Sequence, residues 1–190
     1  MKSGTQPGHV VGASFGLVFV ILNTQRLGTP GRPIAVALAV VAMAIVLASF
    51  VRTLRQGKPE RPENQSARGY FVIVALEVVA LFGGLAVINK VEPSAVTPWI
   101  ALVVGLHFVA FSIWWLRGQR EMLAIGLLMV ALAVVGGVLV LTQDDRSLVA
   151  LVSGFGSGVV LLGSSVLSVF RTQPDQRATS AAAGGTLRVP

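Results

Sequence analysis

The sequence predicts an all-α protein, a polytopic transmembrane bundle of six helices arranged as three antiparallel hairpins. Of the 190 residues, 54% are hydrophobic and only 12% are charged, and the mean hydropathy is +0.78. The apolar residues also fall into six runs, each near the roughly 20 residues that an α-helix needs to cross a bilayer. A soluble domain, in which about a quarter of the residues are charged, is therefore not expected.

The six runs are predicted to be the spanning helices, called spans 1 to 6 in chain order. Span 1 follows one lysine, Lys2, but no small-residue cleavage site comes after it, so it is expected to be retained. Span 2 opens with Pro33, which a helix tolerates in its first turn. Residues 171–190 lack apolar periodicity and are predicted to form a disordered cytoplasmic tail. The predicted spans are residues 8–23, 33–51, 70–89, 97–116, 122–142 and 148–170.

Lysine and arginine are unevenly distributed between the two ends of this bundle. Eleven of the 15 lie before span 1, after spans 2 and 4, or in the tail, and Arg26, Arg32, Lys90 and Arg146 lie in the other connections. Because positively charged loops are retained in the cytoplasm, both termini are predicted to be cytoplasmic. The excess of arginine over lysine, with abundant alanine, valine and glycine, is typical of high-GC bacterial genomes. The predicted location is therefore the inner (cytoplasmic) membrane of a bacterium.

Several function classes are disfavoured by the residues present. The net charge of +7 comes from residues between apolar runs rather than along an amphipathic face, so no nucleic-acid binding is expected. The chain has no cysteine, which excludes disulfides, thiol catalysis and iron–sulfur ligation. No cofactor is expected, because a haem on His107 would need a second ligand at matching depth and His9 lies at the end of span 1. No enzyme is expected either, since the connections are short and no nucleophile lies beside a base.

Two ionisable residues lie near the middle of their spans, Glu77 in span 3 and His107 in span 4. A charged side chain at the centre of a bilayer costs about 2.5–3.5 kcal/mol on insertion scales, so each of the two needs a partner or a wet cavity. Residues 90–96 form a short connection, which makes the two spans antiparallel neighbours and places the two residues at similar depth. We therefore predict a buried polar pair, with Gly84 on the same face allowing close approach. The pair can be a proton-exchanging site or a clasp between helices, and neither interpretation excludes the other. It is too small a ligand set for a metal.

Small residues form faces on spans 5 and 6. Glycine and serine at helical spacing allow helices to approach closely, so these faces are predicted to pack against other helices. Packing within the chain and assembly with a second copy of it, as a homo-oligomer, are both left open. On span 6 the face comprises Gly154, Ser157, Gly158, Leu161, Ser165 and Ser168, and on span 5 it comprises Gly126, Ala133 and Gly137.

The tryptophans of span 4 lie near its ends, at Trp99, Trp114 and Trp115. Tryptophan is enriched at both membrane interfaces, so these side chains are expected to anchor the helix there.

The segment Val104-Gly105-Leu106-His107-Phe108, preceded by a helix with a central glutamate, resembles small six-helix bacterial membrane proteins of unknown function. The resemblance covers spans 3 and 4. It implies a bacterial inner-membrane protein and assigns no catalytic residue.

Two functions remain open on the sequence. The first is a small transporter or channel-like protein that moves a proton or small solute, with Glu77 and His107 as the coupling site. The second is a structural or regulatory membrane protein that assembles through its glycine and serine faces. The lipid bilayer is the only partner common to both.

The orientation can be tested with reporter fusions. A reporter after Pro190 is expected to be active in the cytoplasm, and one inserted within residues 90–96 is expected to be active on the opposite side, because of the lysine and arginine distribution. A periplasmic signal from the fusion after Pro190 would show that the number of spans or their orientation is wrong.

Overall fold

The computed structural model describes residues 7–55, 67–115, 120–143 and 146–171, and all regular structure in these ranges is helical. The predicted all-α fold class is confirmed. Short 3₁₀ turns follow α1 and α3. The helices are α1 (Pro7–Asn23), α2 (Gly28–Arg55), α3 (Ala67–Val91), α4 (Val96–Ala110, continued by a π-helical turn over Phe111–Trp115), α5 (Arg120–Thr142) and α6 (Ser147–Val149, a π-helical segment over Ala150–Phe155, and Gly156–Arg171).

The helices around the long polar connection extend beyond the predicted spans. α2 continues to Arg55 and α3 begins at Ala67, so both ends of the predicted loop are helical. Residues 56–66 between them, and the predicted tail after Arg171, lie outside the described residues. At its start, α2 is interrupted by the extended backbone of Thr29 (φ −96°, ψ 127°). A residue that precedes proline disfavours the helical conformation, so regular helix begins with Pro30 and Pro33 falls in its first turn.

Within the described residues, five helices are long and apolar enough to cross a membrane, which makes the chain a membrane protein. They range from 21 to 28 residues in length. The apolar part of α1, Gly8–Asn23, is shorter, and at 1.5 Å per residue it extends about 24 Å, against a hydrocarbon thickness of about 30 Å. α1 nevertheless packs along both α2 and α6 within the bundle.

α6 lies at the centre of the bundle. It packs against α1, α2 and α5, and its π-helical segment also contacts α4. α2 and α3 lie at the periphery, since only 11% and 6% of the residues in their apolar segments are buried, compared with 44% in α6. α3 has extensive contacts with α4 alone among the described helices. The outward side chains of α3, including Val79 and Phe82, are about 70% exposed and suit a lipid environment.

Two helix pairs approach until their backbones touch, and glycine makes this possible in both. Where α1 crosses α6, a Cβ on Gly16 would lie 2.9 Å from the carbonyl oxygen of Gly158, and a Cβ on Gly158 would lie 2.9 Å from that of Gly16. Where α4 crosses α5, a Cβ on Gly105 would lie 3.0 Å from the carbonyl oxygen of Gly126, and a Cβ on Gly126 would lie 2.8 Å from that of Gly105. Any larger residue would force these helices apart, so the four glycines fix both crossings.

The interior between these crossings is filled by apolar side chains. Met129 and Leu161 are almost completely buried and pack with Val104, which joins α4, α5 and α6. On the other side of α6, Val20 and Val46 are buried in a second apolar cluster, which joins α1, α2 and α6. The described core along α6 is therefore mainly apolar, with a few buried serines among the apolar side chains.

Adding one methyl group at a crossing is expected to destabilise the bundle. Gly158→Ala and Gly126→Ala each place a Cβ within 2.9 Å of backbone atoms that cannot move aside, and overpacking of this kind costs about 1–3 kcal/mol. Gly137→Ala and Gly163→Ala are matched controls, because no atom lies within 4 Å of the added Cβ. Their stability is expected to stay unchanged or to rise by up to about 1 kcal/mol, given the better helix propensity of alanine.

The measurement is unfolding of the purified protein in detergent, by heat or by increasing the mole fraction of a denaturing detergent. Equal loss of stability at crossing and control positions would contradict the importance of these contacts.

Candidate functional site

The structure brings Glu77 and His107 together between α3 and α4. Oε2 of Glu77 lies 2.8 Å from Nδ1 of His107, and the two side chains are 17% and 15% exposed. The Nδ1 atom is itself buried and makes no hydrogen bond among the described residues, so its contact with Oε2 is a close approach of two ionisable groups. The predicted contact is thus present, while its role stays a prediction.

A second contact holds α3 to α4, about one turn from Glu77 on α3 and about two turns from His107 on α4. The indole nitrogen of Trp99 donates a hydrogen bond of 3.2 Å to the carbonyl oxygen of Ala80. The Trp99 ring lies directly over Gly84, where even a Cβ would overlap it. Trp99 therefore has a packing role in addition to the interfacial position predicted from the sequence. Glu77, Ala80 and Gly84 occupy one face of α3 because they are three and four residues apart.

Aromatic rings surround the imidazole on α4. The Phe111 ring meets His107 edge to face, with 4.3 Å between the ring centroids, and Phe108 does so at 5.9 Å. Phe111 is only 5% exposed and begins the π-helical turn that ends α4. The surroundings of the imidazole are thus largely apolar, and Glu77 is the polar group that lies beside Nδ1.

On α6, the predicted small-residue face contacts α1. Gly158 forms the crossing with Gly16, and Gly154 lies against the side chain of Asn23. Ser157 is completely buried, and its hydroxyl has no hydrogen-bond partner in the described part of the chain. The face is thus used for packing within the chain.

On α5, the structure divides the predicted face. Gly126 packs against Gly105, whereas the space beside Gly137 is open within the chain. The adjacent residue Gly136 takes the packed position instead, against the side chain of Ser153. Gly137 therefore has no packing contact with the described helices, because α5 presents the preceding residue to α6, and packing of Gly137 against a second copy stays a prediction.

Most of the buried serines satisfy their hydroxyl groups on helix carbonyls. Ser153 donates to the carbonyl oxygen of Leu132 on α5 at 2.9 Å and so links two helices. Ser165 and Ser112 donate within their own helices, to Leu161 and Val109, each at 2.8 Å. These hydroxyls are occupied locally and do not form a continuous polar line.

Polar contacts also join the connections at one end of the bundle. Arg146 donates to the Ser94 hydroxyl at 2.9 Å and to the Val140 carbonyl at 2.8 Å, and it lies 3.5 Å from Glu92. The hydrogen bond from the Ser94 hydroxyl is the main cause that holds the pKa of Glu92 below its ordinary value of 4.5, and Arg146 lowers it further. At the opposite end, Glu121 of α5 pairs with Arg171 of α6.

Sequence reasoning missed several of these residues. Gly8, Gly12 and Gly16 are spaced by four along span 1, a pattern that could have identified the face that meets α6. Within the described residues, no group of three or more histidine, aspartate or glutamate side chains could hold a metal ion.

No protein-family model, no curated protein and no solved structure matches this chain. The resemblance of the segment around His107 to small bacterial membrane proteins thus stays an interpretation of the sequence. The function has to be argued from the site itself.

The contact between Glu77 and His107 is expected to stabilise the packing of α3 on α4. In Glu77→Gln an amide can still lie beside the imidazole, whereas Glu77→Leu removes the only polar group that lies close to the buried Nδ1 among the described residues. The leucine variant is therefore expected to lose about 1–2 kcal/mol of stability and the glutamine variant about half of that or less. Thermal unfolding in a single detergent compares the two, and equal stability would contradict the contact.

Proposed function

We propose that the protein is a small proton-exchanging membrane protein of the transporter or channel-like class, with Glu77 and His107 as its coupling site. The observation that carries this proposal is the distance of 2.8 Å between a carboxylate oxygen and an imidazole nitrogen within membrane-spanning helices. At this distance, one proton can pass between the two groups, and the pair can be charged or neutral without unpaired charge in the bilayer. The proposal assigns no enzymatic catalysis.

The position of the pair supports exchange at the edge of the bundle. The central helices meet through glycine contacts and apolar side chains, so the interior offers few groups that could accept a proton. The pair lies instead on the only extensive interface that α3 makes within the described chain. A shift of α3 relative to α4 would change the environment of both side chains while leaving the crossings of α1 with α6 and of α4 with α5 intact.

The second candidate is a structural or regulatory membrane protein, in which the pair serves as a clasp. It is favoured by the close packing of α1, α4, α5 and α6. From the sequence, this candidate is predicted to assemble through its glycine and serine faces. That form of it loses support, because Gly126, Gly154 and Gly158 already contact helices of the same chain. Gly137, with open space beside it, is the member of those faces that could meet a second copy.

We further propose the inner membrane of a bacterium as the location, with both termini in the cytoplasm. The distribution of lysine and arginine in the sequence supports this proposal, since eleven of the 15 lie on the side assigned to the cytoplasm.

Proton flux into liposomes tests the proposed function. Purified wild type is expected to acidify the interior of potassium-loaded vesicles after valinomycin addition, measured with a pH-sensitive dye, and Glu77→Gln is expected to reduce the initial rate at least tenfold. Glu121→Gln is the matched control, because it removes one carboxylate at an exposed helix end and should keep the wild-type rate. Equal rates for empty vesicles and wild type would contradict proton exchange and favour the clasp.

A further inference from the structure

α3 is attached to the bundle along one narrow stripe of its surface. Among the described residues of α3 only Ile73 is buried, and the partly exposed residues that follow it along one side of the helix include Glu77, Ala80 and Gly84. This stripe faces α4, the one described helix with which α3 has extensive contacts. No backbone contact between glycines fixes this interface, because Gly84 meets a side chain of α4. The rotation of α3 about its own axis therefore depends on the side chains that touch this stripe.

Two contacts on the stripe lie far enough apart to determine that rotation. At one of them Glu77 approaches His107 to 2.8 Å, and at the other the Trp99 ring lies over Gly84. The residues in contact are seven positions apart on α3 and eight apart on α4, which corresponds to about 10 Å and about 12 Å along the two helices. With the second contact in place, α3 can neither turn nor slide on α4 without moving Glu77 away from the imidazole.

The contact of Trp99 is specific for one position on α3. Its indole N–H donates a 3.2 Å hydrogen bond to the carbonyl oxygen of Ala80, which belongs to the backbone and so reports where α3 lies. A Cβ at Gly84 would overlap the indole ring, whereas a Cβ at the adjacent Gly83 would meet nothing within 4 Å. The two glycines point about 100° apart around the helix. Trp99 therefore distinguishes the observed rotation of α3 from one that differs by a single residue.

We propose that Trp99 is a positioning residue, which packs on Gly84 and bonds to the Ala80 carbonyl to hold α3 at the rotation that places Glu77 beside His107. A turn of α3 by one residue, about 100°, would bring Leu76 or Val78 to the imidazole in place of the carboxylate. Both of these side chains are exposed and apolar, at 62% and 46%. The inference rests on the proposed function in one respect, since proton exchange is the purpose that the positioned pair serves.

The adjacent glycines provide a matched pair of variants. Gly84→Ala displaces the Trp99 ring, and Gly83→Ala adds the same methyl group one residue away in open space. Full-length protein in phosphatidylcholine liposomes is labelled with ¹⁵N-histidine and ¹³C-carboxyl glutamate, in a His9→Gln background that leaves His107 as the one histidine. Solid-state NMR then measures how strongly the glutamate carboxyl carbon dephases the Nδ1 signal, an effect that falls steeply with the distance between the two nuclei. We expect strong dephasing in the His9→Gln parent and in Gly83→Ala, and at least a twofold reduction in Gly84→Ala.

Variants of the tryptophan separate positioning from packing. Trp99→Ala is expected to reduce the dephasing at least twofold, and adding Gly84→Ala to it should cause no further reduction, because the ring that the methyl group displaces is gone. Trp114→Ala is the control on the same helix, since that side chain is 69% exposed, and it should keep the parent value. Trp99→Phe, which loses the N–H but keeps a ring, should give an intermediate value.

A merely structural role for Trp99 predicts a different result. Lower thermal stability in Gly84→Ala and Trp99→Ala with undiminished dephasing overturns the inference, as does absence of dephasing in the parent. Parent dephasing in Trp99→Phe, the mildest change, also overturns it, and this variant decides the matter if the others fail to fold.

Failure of this inference and failure of the proposed function are distinguishable. Proton flux that depends on Glu77, together with undiminished dephasing in Gly84→Ala, overturns the positioning role and leaves proton exchange supported. Reduced dephasing in Gly84→Ala and Trp99→Ala, with no proton flux in wild type, supports the positioning role and overturns the exchange function.

Discussion

Backbone contact between helices is the constraint on which this bundle depends. In a bilayer, lipid tails are as apolar as leucine, so helices gain little from burying apolar side chains against one another and must associate through close packing. The crossings at Gly16 with Gly158 and at Gly105 with Gly126 provide it, since each glycine lies against the carbonyl oxygen of its partner. At such distances Cα–H groups can interact with carbonyl oxygens, and dispersion contacts extend along both helices.

The same packing determines where polar chemistry can occur. Helices that touch through their backbones leave little room for water, and most buried serine hydroxyls of α4 and α6 donate to carbonyls close by, Ser157 excepted. A carboxylate and an imidazole cannot be accommodated so easily, and they lie where a single peripheral helix meets the core. The interface of α3 with α4 combines one ionisable contact with the Trp99 hydrogen bond, and so differs in kind from the glycine crossings.

Much of this architecture could be predicted from the sequence, and the parts that could not have identifiable causes. Apolar length alone predicts the helices, because no other regular structure satisfies its backbone within lipid except a closed barrel. Glu77 and His107 could be paired because each is a rare residue in its span and the connection between the spans is short. The choice of Gly136 over Gly137 could not be predicted, since adjacent glycines differ by about 100° around a helix and only the position of α6 selects between them.

The π-helical segment of α6 has a consequence for the phase of that helix. A π turn contains an extra residue compared with an α turn. Every residue after Ala150–Phe155 therefore lies behind the angular position that it would have in an uninterrupted α-helix. Before and within this segment α6 presents Ser153 to α5, and after it Gly158 meets α1. If this segment were α-helical with all its residues retained, the remainder of α6 would be turned by about 100°. Gly158 would then face away from Gly16, so one additional residue sets the angular register between two halves of the bundle.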